Sequence, residues 1–97
     1  MSAIAPTSTR HAIVRGRVQG VGFRLWVESE ARRRGLDGWV RNRRDGTVEL
    51  VVSGDQGKVE AMLAALRHGP SGASVTGVEI SPHAGSVAGG FEVLPTE

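Results

Sequence analysis

The chain has no cysteine and no tyrosine among its 97 residues, one lysine, two tryptophans and two phenylalanines. Without cysteine there is no disulfide framework, no thiolate nucleophile and no thiolate zinc site. Three separated histidines, His11, His68 and His83, lack the spacing of a metal cluster, so a metal site is not expected. Long apolar runs are also missing. Residues 1–9 lack the basic start and apolar stretch of a signal peptide, and nothing approaches the ~18 consecutive apolar residues of a membrane span. The expectation is a cytoplasmic protein that does not enter a membrane. The net charge is only +2, although the sequence pI is 10.4. With no tyrosine or cysteine, and eleven arginines among twelve basic side chains, little is left to lose a proton above neutrality. The high pI is therefore a weak argument for a nucleic-acid partner.

What is present fits one domain. Residues 1–9 are small and polar and are expected to form a flexible tail, leaving residues 10–97 as the folded unit. Ile13, Val14 and Val18 mark a first strand that ends at Gln19-Gly20. Phe23, Trp26, Val27 and Ala31 recur at helical spacing, followed by Arg32–Arg34 and a stop at Gly35. Trp39 and Val40 belong to a second strand and Val48, Leu50 and Val52 to one face of a third, with an Asp45-Gly46 turn between them. Asp55 caps a second helix whose stripe is Val59, Met62, Leu63 and Leu66. Val78 and Ile80 mark a fourth strand; Phe91 and Val93 mark a short last one. The order β-α-β-β-α-β is that of the ferredoxin-like α+β sandwich, in which two helices cover one face of an antiparallel sheet. Both tryptophans are expected in the core. Asp45 and Glu49 are accounted for by a turn and the outer face of a strand, and His11 has no evident partner.

This topology has a chemical consequence. If each crossover skips one sheet position, the first two strands run the same way with the third between them, and their C-terminal ends share one sheet edge about 10 Å apart. The glycine-rich turn Gln19 to Arg24 leaves one end and Asn42 leaves the other. A turn that opens a helix aims its amides and the helix dipole at one point, which suits an oxyanion. Backbone N–H groups of Gln19, Gly20, Val21, Gly22 and Phe23 would cradle a phosphoryl group, and Arg24 would grip its oxygens. Asn42 would orient an attacking water. Such a set supplies no nucleophile and no evident base, so it suits an acyl phosphate, whose carboxylate leaves without protonation. A loose phosphoryl-transfer transition state asks mainly for positioning and charge stabilisation.

The run Gly16-Arg17-Val18-Gln19-Gly20-Val21-Gly22-Phe23-Arg24 resembles the first signature of the acylphosphatase family. Gly38-Trp39-Val40-Arg41-Asn42-Arg43-Arg44-Asp45-Gly46-Thr47-Val48-Glu49 resembles the second, and the likeness in element order runs from about Arg10 to Leu94. The resemblance implies hydrolysis of small acyl phosphates to a carboxylate and inorganic phosphate without a cofactor, with Arg24 and Asn42 as the catalytic pair. The expected partner is the small-molecule substrate, and the expected state is a monomer. Arg41, Arg43 and Arg44 flank Asn42 and could steer anions toward it. Two alternatives stay open. One is a cradle for carbamoyl phosphate, as in the acylphosphatase-like domain of larger hydrogenase-maturation proteins, although no zinc motif follows here. The other is a non-enzymatic nucleic-acid module of the same element order, which would need aromatic residues on the open sheet.

Overall fold

Strand β1 (Thr7–Arg17) leads through the glycine-rich turn into α1 (Phe23–Arg33), which returns the chain to β2 (Asp37–Asn42). A hairpin joins β2 to β3 (Val48–Asp55), and α2 (Gln56–Ala65), β4 (Ser74–Pro82) and β5 (Phe91–Val93) complete the chain. The computed structural model describes residues 6–97. The sheet order is β4-β1-β3-β2-β5. Because β1 and β2 each pair antiparallel with β3, they run parallel to one another with β3 between them. Their C-terminal ends therefore meet at one edge, as the skipped-position topology requires.

The pattern that makes the strands also makes the core. Ala12 and Val14 of β1, Val40 of β2, and Val48, Leu50 and Val52 of β3 face the helices, and each is fully buried. They meet Phe23, Val27 and Ala31 of α1, spaced four apart, and Val59, Met62 and Leu63 of α2, with Leu66 just beyond it. Burying a side chain of this size stabilises a fold by about 1.5–3 kcal/mol. Helix α1 ends where Gly35 interrupts it: Leu36 N–H bonds to Ala31 C=O at 2.9 Å and Gly35 N–H to Arg32 C=O at 3.0 Å. That crossed pair closes the last turn. The Asp55 carboxylate opens α2 by accepting from Lys58 N–H at 3.0 Å.

Three features depart from the sequence reading. The expected tail fails at Thr7–Thr9, which pair with Asp55, Gly54 and Ser53 of β3; the hydroxyls of Thr9 and Ser53 lie 2.7 Å apart. A long partner strand, not a local apolar pattern, extends β1 there. Residues 1–5 of that expected tail lie outside the described residues. The sheet is antiparallel among its first four strands, but β5 lies parallel to β2, with Gly38, Trp39 and Val40 opposite Phe91, Glu92 and Val93. The chain crosses from one sheet edge to the other between β4 and β5, and that return sets the direction. Trp39, finally, is half-buried on the face opposite the helices rather than in the core. The Arg41 guanidinium lies 4.9 Å from its ring centroid, and with His83, Ser86 and Val87 the ring lines a cavity of about 180 Å³.

Gly38 shows how tightly β2 and β3 approach. Its φ is +139°, and a Cβ built there would lie 1.9 Å from the Val51 carbonyl oxygen. We expect Gly38→Ala to destabilise the fold by about 2–4 kcal/mol. Thermal unfolding should then show a midpoint lower by roughly 10–25 °C, whereas an unchanged midpoint would mean that the two strands separate without cost.

Candidate active site

The cradle begins where β1 ends. Val18 is buried and anchors the turn, while Gly20 and Gly22 have φ of +74° and +77°. Those angles turn successive amides toward one side, a geometry that side-chain-bearing residues avoid. Gly22 is the cap residue of α1, yet no side chain caps the helix and its first turn holds no acid. Among the described residues, no backbone carbonyl accepts from the amides of residues 19–25. The positive end of α1 is thus left unopposed and its donors unmet.

Asn42 reaches the same place from the last position of β2. Val18, Gly20, Gly22, Phe23, Arg24, Leu25 and Asn42 line one cavity of about 120 Å³. Arg24 takes part in none of the ion pairs among the described residues. The Asn42 backbone is fixed, its carbonyl accepting from Glu97 N–H at 3.0 Å, but its side-chain Oδ1 is buried without a donor among the described residues. Buried acceptors are nearly always satisfied, so an orphan beside an uncommitted guanidinium asks for an explanation outside the fold. One free cation, one free acceptor and a row of free amides can hold an oxyanion together with a water molecule.

Gln19 joins the two halves of the site. Its Nε2 donates to the carbonyls of Arg43, at 2.7 Å, and Thr47, at 2.8 Å, tying the glycine-rich turn to the hairpin just beyond Asn42. The hairpin is closed in turn by Asp45, whose Oδ1 accepts from Thr47 N–H at 3.0 Å and from the Thr47 hydroxyl at 2.6 Å. These bonds hold the Asp45 carboxyl below its usual range, hydroxyl first, amide second. Of the seven residues named from sequence, Gly20, Gly22, Phe23, Arg24 and Asn42 line the cavity; Gln19 and Val21 do not. Val21 packs against the core. The sequence reading missed Val18, which it took only as a strand residue, and Leu25, whose signal was an apolar residue beside Arg24 and outside the buried stripe of α1.

Behind Asn42, on the sheet face opposite the helices, lies an ionic cluster that the sequence reading dispersed. Glu49 lies on the outer face of β3, as expected, yet it is only 6% exposed. Its carboxylate meets His11 Nε2 at 2.6 Å, Arg41 Nε at 2.7 Å and an Arg43 nitrogen at 3.4 Å. Arg41 also reaches Glu97 at 2.8 Å. His11, which seemed to lack a partner, is one wall of this cluster because β1 and β2 both flank β3. Burial pushes the Glu49 carboxyl up, but the hydrogen bonds from His11 and Arg41 and the charges of Arg41 and Arg43 outweigh it, and the net direction is down. A carboxyl lowered in the folded state adds stability above the ordinary Glu range, lost as pH falls through the folded value. We therefore expect Glu49→Gln to cost about 1–3 kcal/mol at neutral pH. The difference should narrow as pH falls through the ordinary Glu range and below it. Urea midpoints of both proteins across that range check this; parallel profiles would remove Glu49 from the acid limb.

Fold and cavity together define a class: a ferredoxin-like α+β domain in which, among the described residues, unpaired turn amides and an arginine in no ion pair border one cavity at the edge of the sheet. The family model for acylphosphatases matches residues 10–93, and the chain belongs to that family of hydrolases. It is 52% identical over 91 residues to the acylphosphatase of Azorhizobium caulinodans, across 93% of this chain and 98% of that one. The solved acylphosphatase from Coxiella burnetii superposes with a TM-score of 0.87 at 34% identity, over 91% of this chain and 93% of its own. A full-length HypF structure in a phosphate- and nucleotide-bound form gives a TM-score of 0.89 at 22% identity. The match covers 99% of this chain but 13% of that one, a likeness of fold alone. Among the described residues no helix is long and apolar enough to cross a membrane.

Proposed function

We propose that the cavity between the glycine-rich turn and Asn42 hydrolyses the carboxyl-phosphate bond of small acyl phosphates. The observation that carries this reading is the pairing, in one cavity, of the uncommitted Arg24 guanidinium with the orphaned Asn42 Oδ1. Arg24 and the amides of Gly20, Gly22 and Phe23 hold the phosphoryl oxygens, where charge spreads as the bond to the leaving group loosens. Asn42 Oδ1 accepts a hydrogen bond from a water and holds its oxygen in line with phosphorus. The carboxylate departs as an anion, and both water protons leave on phosphate as H₂PO₄⁻. No group on the protein has to take a proton. Arg41 and Arg43 are engaged by Glu49, which leaves Arg44, exposed and in no ion pair among the described residues, as the flanking charge best placed to draw anions in.

The reading is tested by following the ultraviolet signal of benzoyl phosphate with purified protein in chelator. Turnover is expected; folded protein inert toward both benzoyl and acetyl phosphate would overturn it. Carbamoyl phosphate, followed by release of inorganic phosphate, addresses the first alternative. The nucleic-acid alternative gains Trp39 on the open sheet face, but that ring already carries Arg41 and shares its cavity with His83, Ser86, Val87 and Ala88.

A further inference from the structure

Two large apolar side chains are well exposed among the described residues, Leu25 at 65% and Ile80 at 40%. Ile80 lies on the edge strand β4, away from the cavity, whereas Leu25 lines it. An exposed leucine in the first turn of a helix contributes nothing to the core, and Leu25 is not among the residues packed against it. Neighbouring surface positions on α1 carry Ser29, Arg32 and Arg33. Of the other apolar lining residues, Val18 and Phe23 are each 1% exposed and are spent on the core. Leu25 alone has apolar surface left to offer a ligand. The exposed residues of the lining, Gly20, Gly22 and Leu25, place the mouth of the cavity on their side.

Resting on the reading above, a phosphoryl group held by Arg24 and the turn leaves the acyl group of the substrate to extend through that mouth. We infer that Leu25 is the acyl-group contact of this site and selects acyl phosphates with aromatic or branched apolar acyl groups over acetyl phosphate. The contact is a rim contact, shielding one face of the acyl group from water. A worth of about three- to tenfold in kcat/KM is expected from the apolar area it can cover. The phosphoryl end, which Leu25 does not grip, should be indifferent to it.

The experiment compares kcat/KM for benzoyl and acetyl phosphate in wild type, Leu25→Ala, Leu25→Gln and Leu25→Met, with inhibition by inorganic phosphate measured alongside. The Ala and Gln variants should lower the benzoyl-to-acetyl ratio about three- to tenfold, Met should retain it, and phosphate inhibition should stay as in wild type. The ratio compares two substrates on one protein, so partial unfolding cancels from it. If wild type turns over both substrates but the ratio is unmoved in Ala and Gln, Leu25 is not the acyl contact and the hydrolase reading survives. If both substrates fall equally while phosphate inhibition weakens, Leu25 supports the cradle instead, and the inference is again overturned. Wild type inert toward both would overturn the hydrolase reading and this inference with it.

Discussion

Arg24→Ala should lower kcat/KM for benzoyl phosphate by on the order of 10³-fold or more, because charge-stabilising arginines in phosphoryl transfer carry effects of that size. Phosphate as a competitive inhibitor should weaken as well, since the same guanidinium holds the ground-state oxygens. The fold should be indifferent, because Arg24 enters no ion pair among the described residues. A thermal midpoint within a degree or two of wild type is therefore part of the expectation. Arg24→Lys keeps the charge but loses the planar fork that engages two oxygens together, and should recover only part of the activity. Retention of a tenth of wild-type activity by Arg24→Ala would reassign phosphoryl binding to the backbone alone.

Asn42→Ala separates positioning from binding. Turnover should fall by about 10²-fold or more, the cost of releasing a water from an aligned attack geometry, while phosphate inhibition changes by less than about threefold. Stability makes the sharper statement. Oδ1 is buried with no donor among the described residues, and an unmet buried acceptor costs about 1–3 kcal/mol. Removing it should leave the protein as stable as wild type or more so. A variant that is slower but no less stable is what a group held in strain for chemistry predicts. If Asn42→Ala were both fully active and less stable, the side chain would be structural and the water would need another anchor.

Much of this arrangement was legible in the sequence because it is written locally. The alternation of Val48, Leu50 and Val52 and the spacing of Phe23, Val27 and Ala31 gave the layers. Residues adjacent in sequence build each half of the cavity, so the two motifs could be brought together from topology alone. What was not legible depends on pairing across distance. Thr7–Thr9 carry no apolar signal and become strand only because β3 continues to Asp55. Glu49 reads as an outward position until His11, 38 residues away, and Arg41 close over it. Gln19 was read for its amide; its side chain works instead on two carbonyls of a hairpin that follows a whole helix and strand later. Trp39 has the hydropathy of a core residue, and only the register opposite Val51 places it on the other face.

Among the described residues, the seven that line the cavity all fall between Val18 and Asn42. Helix α2, β4 and β5 supply none of them and act by covering and bracing the sheet. Chemistry and scaffolding are thereby separable along the gene. Sequence drift beyond the β2–β3 hairpin can retune the stability of the scaffold over wide limits while the reacting groups stay as they are, and new specificity can arise within a single stretch of twenty-five residues.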